Sequence, residues 1–272
     1  MTAAAHRTSQ EEISFFKREG YLLKKGLFEE REIEELKALF MEMHAQGPVP
    51  GYFHPVSEEE AGGDILRMYP RVMHPHRFNG TAMRYMIHPP VMDALEGLFG
   101  EQPLAAQSMF YFKPPGAKGQ ALHQDNFYLK VEPGTCIAAW VAVDRADEEN
   151  GTLFVVPKTQ EEAIQCPKEA DPEVSFTRDE VTVPEGLKPI PVILEPGDVL
   201  FFNGSMIHGS YPNRSNDRFR RAFICHYTGV SATKIGQFYQ PMYRADGTPV
   251  MIDTNTDSGP CGTEFAAAAQ PH

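Results

Sequence analysis

The sequence predicts a mainly β domain of the sandwich or barrel type, with helices packed on its outside. From residue 105 onward, short apolar runs are separated by turns rich in Gly and Pro, a pattern typical of such folds. Helical patterns fill roughly the first hundred residues instead. Strands and helices do not alternate along the chain, so a parallel sheet with crossover helices is not expected.

Three helical patterns precede the strands. In each, apolar side chains recur at the three- and four-residue spacing of an amphipathic helix. The predicted elements are a helix that begins with a capping box of Thr8 and Glu11 and ends at Gly20, a strand at residues 21–23, a helix at residues 29–43, a loop or flap at residues 47–63, and a helix that follows Pro89-Pro90 and ends at Gly100.

The strands are expected to be short and closely spaced. The run at 135–143 is almost continuously apolar, which predicts a strand buried on both faces. The tail after Ile252, including residues 266–269, is weakly patterned and is expected to be mobile or to act as a lid. The predicted strands are residues 107–112, 135–143, 152–156, 181–183, 191–194, 199–202 and 222–227.

Composition limits the partners. The formal net charge of −12 disfavours nucleic acids and anionic membrane surfaces, which select basic patches. No run has the length of a membrane span or of a signal-peptide core, so a cytoplasmic location is expected. The four cysteines form no Cys-x-x-Cys pair, which argues against a zinc ribbon and a disulfide framework. Composition does not predict the oligomeric state.

The segment His123-Gln124-Asp125 is the principal functional motif. On an extended strand, residues two apart point to the same face, so an imidazole and a carboxylate can approach one point. Taken alone, such a tripeptide is more often a surface pair. His208, in a Gly-flanked segment after an apolar strand, is the candidate third ligand. Two histidines and one carboxylate form the facial triad of non-haem Fe(II) oxygenases.

Three more segments accompany this triad in order and at fitting spacing. They are a turn feeding a strand at residues 149–157, a Gly-Asp turn and strand at residues 197–202, and Phe219-Arg220-Arg221-Ala222. With His-Gln-Asp and His-Gly-Ser, they make the chain resemble the phytanoyl-CoA dioxygenase family of Fe(II)/2-oxoglutarate-dependent oxygenases, from about residue 11 to residue 240. The family fold is a double-stranded β-helix, a cupin-like jelly roll with outer helices.

The resemblance implies one oxygenase domain over residues 1–272. Its parts are a helical region to about residue 104, a jelly-roll core at about 105–230, and a C-terminal segment at 231–272. It also implies a set of site residues. These are His123, Asp125 and His208 as iron ligands, Arg220 for the distal carboxylate of 2-oxoglutarate, Met109, Trp140 and Ser210 around that cosubstrate, and Arg71 or, alternatively, Arg67 as an upstream basic contact.

The implied reaction uses Fe(II), 2-oxoglutarate and O2. It hydroxylates a C–H bond of a small-molecule substrate and releases succinate and CO2. Tyr111, Asn126, Phe127 and Tyr128 are candidates to face that substrate, although aromatic residues there would also suit packing. Related halogenases have a small residue where this chain has Asp125, so hydroxylation is favoured over halogenation.

Two rival interpretations remain open from the sequence. Desaturation, cyclisation or epimerisation would use the same cofactors, and a non-catalytic metal-binding jelly roll would need no carboxylate-binding arginine. Strand parity favours Arg220 over Arg221 for that role, because Arg220 shares a face with Ala222 and Arg221 does not. The remaining histidines are assigned no role: His6, His44, His54, His74, His76, His88, His226 and His272.

Overall fold

Seven α-helices and sixteen strands make up the computed structural model, which describes residues 7–257 and 259–261. The helices are α1 Gln10–Glu19, α2 Glu30–Gln46, α3 Glu58–Ala61, α4 Ile65–Met68, α5 Gly80–Met86, α6 Pro89–Phe99 and α7 Asn126–Leu129, with 3-10 turns at Pro75–Arg77 and Gln237–Tyr239.

The strands are mostly short. They are β1 Tyr21–Lys24, β2 Val72–Met73, β3 Pro103–Tyr111, β4 Gln120–His123, β5 Ile137–Ala142, β6 Leu153–Val155, β7 Lys168–Glu169, β8 Asp179–Glu180, β9 Ile190–Pro191, β10 Val199–Asn203, β11 His208–Ser210, β12 Ala222–Gly229, β13 Lys234–Ile235, β14 Met242–Tyr243, β15 Pro249–Val250 and β16 Asp253–Thr254.

Two antiparallel sheets form the sandwich. The larger has the order β1-β10-β5-β12-β3-β14-β15, with β2 paired to β3, and the smaller has the order β4-β11-β6-β9. Two small pairs, β7 with β8 and β13 with β16, lie apart from these sheets. The prediction of a mainly β sandwich with helices outside is confirmed.

The larger sheet is buried on both faces. Along β12, Phe223, Cys225 and Tyr227 pack into the core shared with the helices. Ala222 and Ile224 belong to a second core between the sheets. Successive residues of β5 also alternate between these two cores, and all six are buried. A strand covered on both sides has no polar face, which explains the nearly unbroken apolar run predicted there.

The long helices agree with their predicted positions, with one change at the start of α1. Its N-cap is Ser9, whose hydroxyl accepts from the backbone N–H of Glu12 while the Glu12 carboxylate accepts from the backbone N–H of Ser9. The capping box predicted for Thr8 and Glu11 was therefore one residue too early. Thr8 instead donates its hydroxyl to the carbonyl of Ala94 on α6.

The segment between α2 and α6 was poorly predicted. The proposed loop at 47–63 contains the one-turn helix α3, and α4 and α5 follow it. These helices have two turns or fewer, which is too short for a periodic apolar pattern to be recognised. The strand expected at 181–183 is also wrong, since the neighbouring strand is β8.

The chain after residue 160 has two features that the sequence did not predict. Cys166 and Cys261 form a disulfide across 95 residues, and sequence spacing could not reveal their proximity. The described part of the tail is paired, because β16 adds in parallel to β13. Residues 266–269 lie outside the described residues. None of the described helices combines the length and apolar character needed to cross a bilayer.

Candidate metal centre and cosubstrate pocket

His123 and His208 face each other across the smaller sheet. His123 ends β4, His208 begins β11, and the two are direct cross-strand partners. Their ring centroids lie 4.1 Å apart, and both residues are buried. Sheet register therefore holds two histidines, 85 residues apart in sequence, at one point.

Asp125 reaches the same point by a route that differs from the predicted one. It is not on an extended strand: it caps α7 with helical backbone angles, φ −59° and ψ −37°. The chain turns at Gln124, whose buried amide accepts from the backbone N–H of Gln165 and donates to the carbonyl of Ser205, both at 2.8 Å. A strand end followed by a fixed turn, rather than strand alternation, brings the carboxylate beside the imidazoles.

The three donor groups fit a small divalent cation. Oδ1 of Asp125 lies 3.6 Å from Nε2 of His123 and 3.6 Å from Nε2 of His208, and the ligand atoms all fall within 4.8 Å of one another. Nδ1 of each imidazole contacts a carbonyl, that of Ala121 at 2.8 Å or of Met206 at 3.0 Å. Each Nδ1 therefore carries the proton, which leaves the Nε2 lone pair for a metal.

Protonation favours ligation at this cluster. Burial lowers the pKa of His208 to about 4, helped by the neighbouring His123, so its imidazole is neutral at ordinary pH. Burial alone would raise the pKa of Asp125, but His208 and His226 outweigh it and hold that pKa well below the usual range. A neutral His208 beside an ionised Asp125 has the protonation states in which an imidazole and a carboxylate bind Fe(II).

His226, which the sequence interpretation left without a role, supports Asp125. Its Nε2 lies 3.1 Å from Oδ2 of the carboxylate, and both side chains are buried. With one oxygen engaged by His226, the other oxygen is directed at the metal position. Strand parity had placed His226 on the Arg220 face of β12, and that signal could have identified it.

The residues proposed for the cosubstrate line one cavity together with the metal cluster. These are Met109, Trp140, Ser210 and Arg220, and Tyr111, a candidate to face the substrate, lines the same cavity. Arg220 is buried, its Nε donates to the carbonyl of Gly151 at 3.1 Å, and its guanidinium lies 5.2 Å from the centroid of the Trp140 ring. No carboxylate pairs with Arg220 among the described residues. Burial lowers its pKa to about 10, and the guanidinium stays charged at neutral pH.

Lys113 is a second buried basic side chain beside this pocket. Its Nζ donates to Oγ of Ser210 at 2.8 Å, and its carbonyl accepts from the backbone N–H of Arg220 at 3.0 Å. Burial and the charge of Arg220 lower the pKa of Lys113 well below its ordinary value. A lysine followed by two prolines carries no sequence sign of burial, so the sequence interpretation missed it.

Arg221 lies on the opposite side of the strand. Its Nε and Nη2 donate to the two carboxylate oxygens of Asp144 at 2.7 and 2.9 Å. It does not line the metal pocket. The two adjacent arginines therefore differ sharply: within the part of the chain that the structure describes, Arg221 has a partner carboxylate and Arg220 has none.

Several candidates are not brought to the metal pocket. Arg71 reaches it only through Tyr111, whose hydroxyl accepts from Nη1 of Arg71 at 3.1 Å, and Arg67 is exposed. Asn126 uses its amide to close a turn onto Val131. The remaining two, Phe127 and Tyr128, pack edge to face on α7.

A double-stranded β-helix that holds a buried His–Asp–His donor set defines a non-haem Fe(II) oxygenase. Residues 16–222 match the phytanoyl-CoA dioxygenase (PhyH) family, and the chain belongs to it. The cofactors of this family are Fe(II), 2-oxoglutarate and O2, and the donor set described above suits them.

Two curated relatives illustrate the range of sequence similarity. Dioxygenase lolE1 of Epichloe uncinata is 31% identical over 226 residues, covering 80% of this chain and 83% of lolE1. The peroxisomal phytanoyl-CoA dioxygenase of Rattus norvegicus is 26% identical over 231 residues, covering 80% of this chain and 68% of the relative.

Solved structures share the fold at lower identity. The epimerase SnoN, in complex with Fe3+, alpha ketoglutarate and nogalamycin RO, has a TM-score of 0.65 at 22% identity, covering 85% of this chain and 86% of SnoN. The carbocyclase SnoK has a TM-score of 0.65 at 20% identity, covering 86% of this chain and 88% of SnoK. EctD from S. alaskensis, in a structure with 2-oxoglutarate and 5-hydroxyectoine, has a TM-score of 0.65 at 19% identity, covering 85% of this chain and 79% of EctD. The fold prediction is confirmed.

Proposed function

We propose that this chain hydroxylates a C–H bond of a small-molecule substrate in the cytoplasm, as one oxygenase domain, with succinate and CO2 as co-products. The observation that carries the proposal is the carboxylate of Asp125, directed at the metal position by His226 at 3.1 Å. A third protein ligand that is fixed in place leaves no ligand position for a halide beside the cosubstrate and O2.

The protein's own groups have distinct tasks in this proposal. His123, His208 and Asp125 hold Fe(II) through Nε2, Nε2 and Oδ1. With Fe(II) bound, the centre supplies the activation of O2 that is coupled to decarboxylation of 2-oxoglutarate. Arg220 receives the distal carboxylate, since a planar guanidinium matches two carboxylate oxygens. Ser210 accepts from Nζ of Lys113 and from the backbone N–H of Gln120, which leaves its own O–H to donate to that carboxylate.

Apolar walls complete the pocket. Met109 and Trp140 are buried on β3 and β5, the two strands that flank β12, and Leu153, Phe202 and Ile224 also line the cavity. These side chains exclude water, which strengthens the charge interactions of Arg220. We therefore place 2-oxoglutarate between Arg220 and the metal ligands, along the Trp140 wall.

Two alternatives remain beside hydroxylation. Solved relatives of the fold include an epimerase and a carbocyclase, and those outcomes would use the same ligands. A non-catalytic metal-binding protein is the alternative from another class. Arg220 disfavours it, because a buried cationic group without a carboxylate partner among the described residues destabilises a protein that never binds an anion.

The test is succinate formation from 2-oxoglutarate by the Fe(II)-loaded chain, followed by product analysis under labelled O2 in high chloride. We expect succinate together with a product that gains one labelled oxygen atom and no chlorine. A product lacking labelled oxygen would show that the reaction is another oxidation and not hydroxylation. A chlorinated product would overturn the role of Asp125. Absence of succinate would favour a non-catalytic binding protein.

A further inference from the structure

A second cavity, of about 450 Å³, lies beside the metal pocket. We call it the Arg71–Arg77 cavity after the two cationic residues in its wall. The segment from Pro70 to Arg77 forms one side, and Tyr52, Phe53 and Phe238 supply aromatic surface on the others. A cavity of this volume suits a small organic molecule.

Two of the groups in this wall have hydrogen-bonding atoms without a partner among the described residues. They are Nδ1 of His74, a residue that is only 4% exposed, and Nε of Arg77. Buried polar atoms normally find partners, and each one that does not needs an explanation. The two lie close together, since the backbone N–H of Arg77 donates to the carbonyl of His74 at 2.9 Å.

The cations of the cavity also lack acidic partners. No Asp or Glu lines it, and Arg71 forms no ion pair among the described residues. Arg71 is held in place by its contact with the Tyr111 hydroxyl and by the Tyr111 and Phe176 rings, whose centroids are 6.0 and 5.8 Å from its guanidinium. In a chain of net charge −12, two arginines facing one cavity without a carboxylate favour an anionic ligand.

His74 has a backbone conformation that side chains rarely adopt. Its φ is +49° and its ψ is 44°, in the left-handed region. For a residue with a Cβ this conformation is strained, and such strain concentrates at functional sites. The backbone here directs the imidazole of His74 to the cavity wall at a cost in stability.

The cavity and the metal pocket share a boundary. Met73 lines the cavity and pairs with Met109, which lines the metal pocket. Arg71 lines the cavity and contacts Tyr111, which also lines the metal pocket. A ligand in the cavity is thus within one residue layer of the cosubstrate pocket.

We propose that the Arg71–Arg77 cavity binds the substrate of this oxygenase, and that the substrate is an organic acid whose anionic group, a carboxylate or a phosphate, contacts Arg71, Arg77 and His74. The aromatic residues of the cavity then contact its apolar body. This inference rests on the proposed function, because the ligand is taken to be the substrate of that reaction. The chemical class of the ligand is inferred from the cavity alone.

The experiment uses pairs of compounds that differ only in charge. Octanoate, phenylacetate and 3-phenylpropanoate are compared with their primary amides, and phenyl phosphate with phenol. Binding is measured as the shift in melting temperature of the full chain saturated with Fe(II) and 2-oxoglutarate without O2. Turnover is measured separately as stimulated succinate formation. We expect at least one anion to bind roughly thirtyfold more tightly than its neutral partner.

Two variants locate the anionic group. Arg71→Gln should bring the ratio of acid to amide affinity close to one. His74→Asn should weaken acid binding while keeping the left-handed backbone, which Asn tolerates. Arg67→Gln is the matched control, because Arg67 is exposed and does not line this cavity; it should leave the ratio unchanged.

Each outcome decides the proposal. Preference for the carboxylates or for the phosphate identifies the anionic group. Equal binding of acids and amides, or binding of none of them, overturns the substrate class. An Arg71→Gln variant that loses 2-oxoglutarate affinity but keeps the acid preference assigns Arg71 to the cosubstrate and overturns this site. Because binding is measured without turnover, absence of succinate would reject the reaction and leave the binding result intact.

Discussion

Replacing Arg220 by alanine is expected to weaken 2-oxoglutarate binding by roughly thirtyfold or more. Arg220 is 3% exposed, and no carboxylate pairs with it among the described residues, so the distal carboxylate would be its main anionic partner. Truncating one side of such a desolvated pair costs about 2–5 kcal/mol, and about 1.4 kcal/mol corresponds to a factor of ten. Arg220→Lys should restore only part of the lost affinity for 2-oxoglutarate, because an ammonium cannot match two carboxylate oxygens.

Arg221→Ala is the matched control for this prediction. Arg221 pairs with both carboxylate oxygens of Asp144 outside the metal pocket, so its loss should reduce the free energy of unfolding and leave cosubstrate affinity nearly unchanged. Calorimetric titration of 2-oxoglutarate into the Mn(II)-loaded variants without O2 measures the affinities. A larger loss of affinity for Arg221→Ala than for Arg220→Ala would refute the assignment of the inward-facing strand residues.

Three further predictions concern the metal ligands and the buried groups around them. Alanine at His123, Asp125 or His208 should abolish stoichiometric Fe(II) binding, measured by metal analysis, and full activity of any such variant would reject the ligand set. His226→Phe should weaken Mn(II) binding by about ten- to a hundredfold, as for other groups that orient metal ligands, whereas His54→Gln at an exposed site should not. Lys113→Met should raise the free energy of unfolding of the cosubstrate-free chain more at pH 7 than at pH 10. The pKa of Lys113 is depressed in the folded state, so below the ordinary lysine pKa the unfolded chain binds more protons than the folded chain. The free energy of unfolding of the wild type therefore falls as the pH decreases toward the folded-state pKa. Equal effects of the substitution at the two pH values would contradict this.

The pattern of alternating side chains made much of the sandwich predictable. The run at 135–143 indicated a strand covered on both faces, and β5 has all six residues buried between the helices and the smaller sheet. Parity along β12 predicted which side of the strand each residue faces, and Arg220 lines the metal pocket while Arg221 does not. These predictions succeed because alternation depends on local backbone geometry alone.

Contacts between distant segments could not be read from the sequence. The turn at Gln124 is held by Gln165 and Ser205, and neither contact has a local signature. Lys113 becomes buried only when Ser210 and Arg220 fold against it. The same limit hid the disulfide, because Cys166 and Cys261 lie 95 residues apart in sequence and neither segment has a local signature of the contact.

The charges of the pocket explain why Lys113 should be neutral when the site is complete. Asp125 contributes one negative charge and Arg220 one positive charge, and both are buried. Fe(II) would add two positive charges and 2-oxoglutarate two negative ones, so the filled pocket is neutral without a charge on Lys113. A charged Lys113 would leave an excess positive charge in a low-dielectric interior, which is costly. The lowered pKa of Lys113 agrees with this balance, and its neutral amine serves instead as a hydrogen-bond donor that positions Ser210.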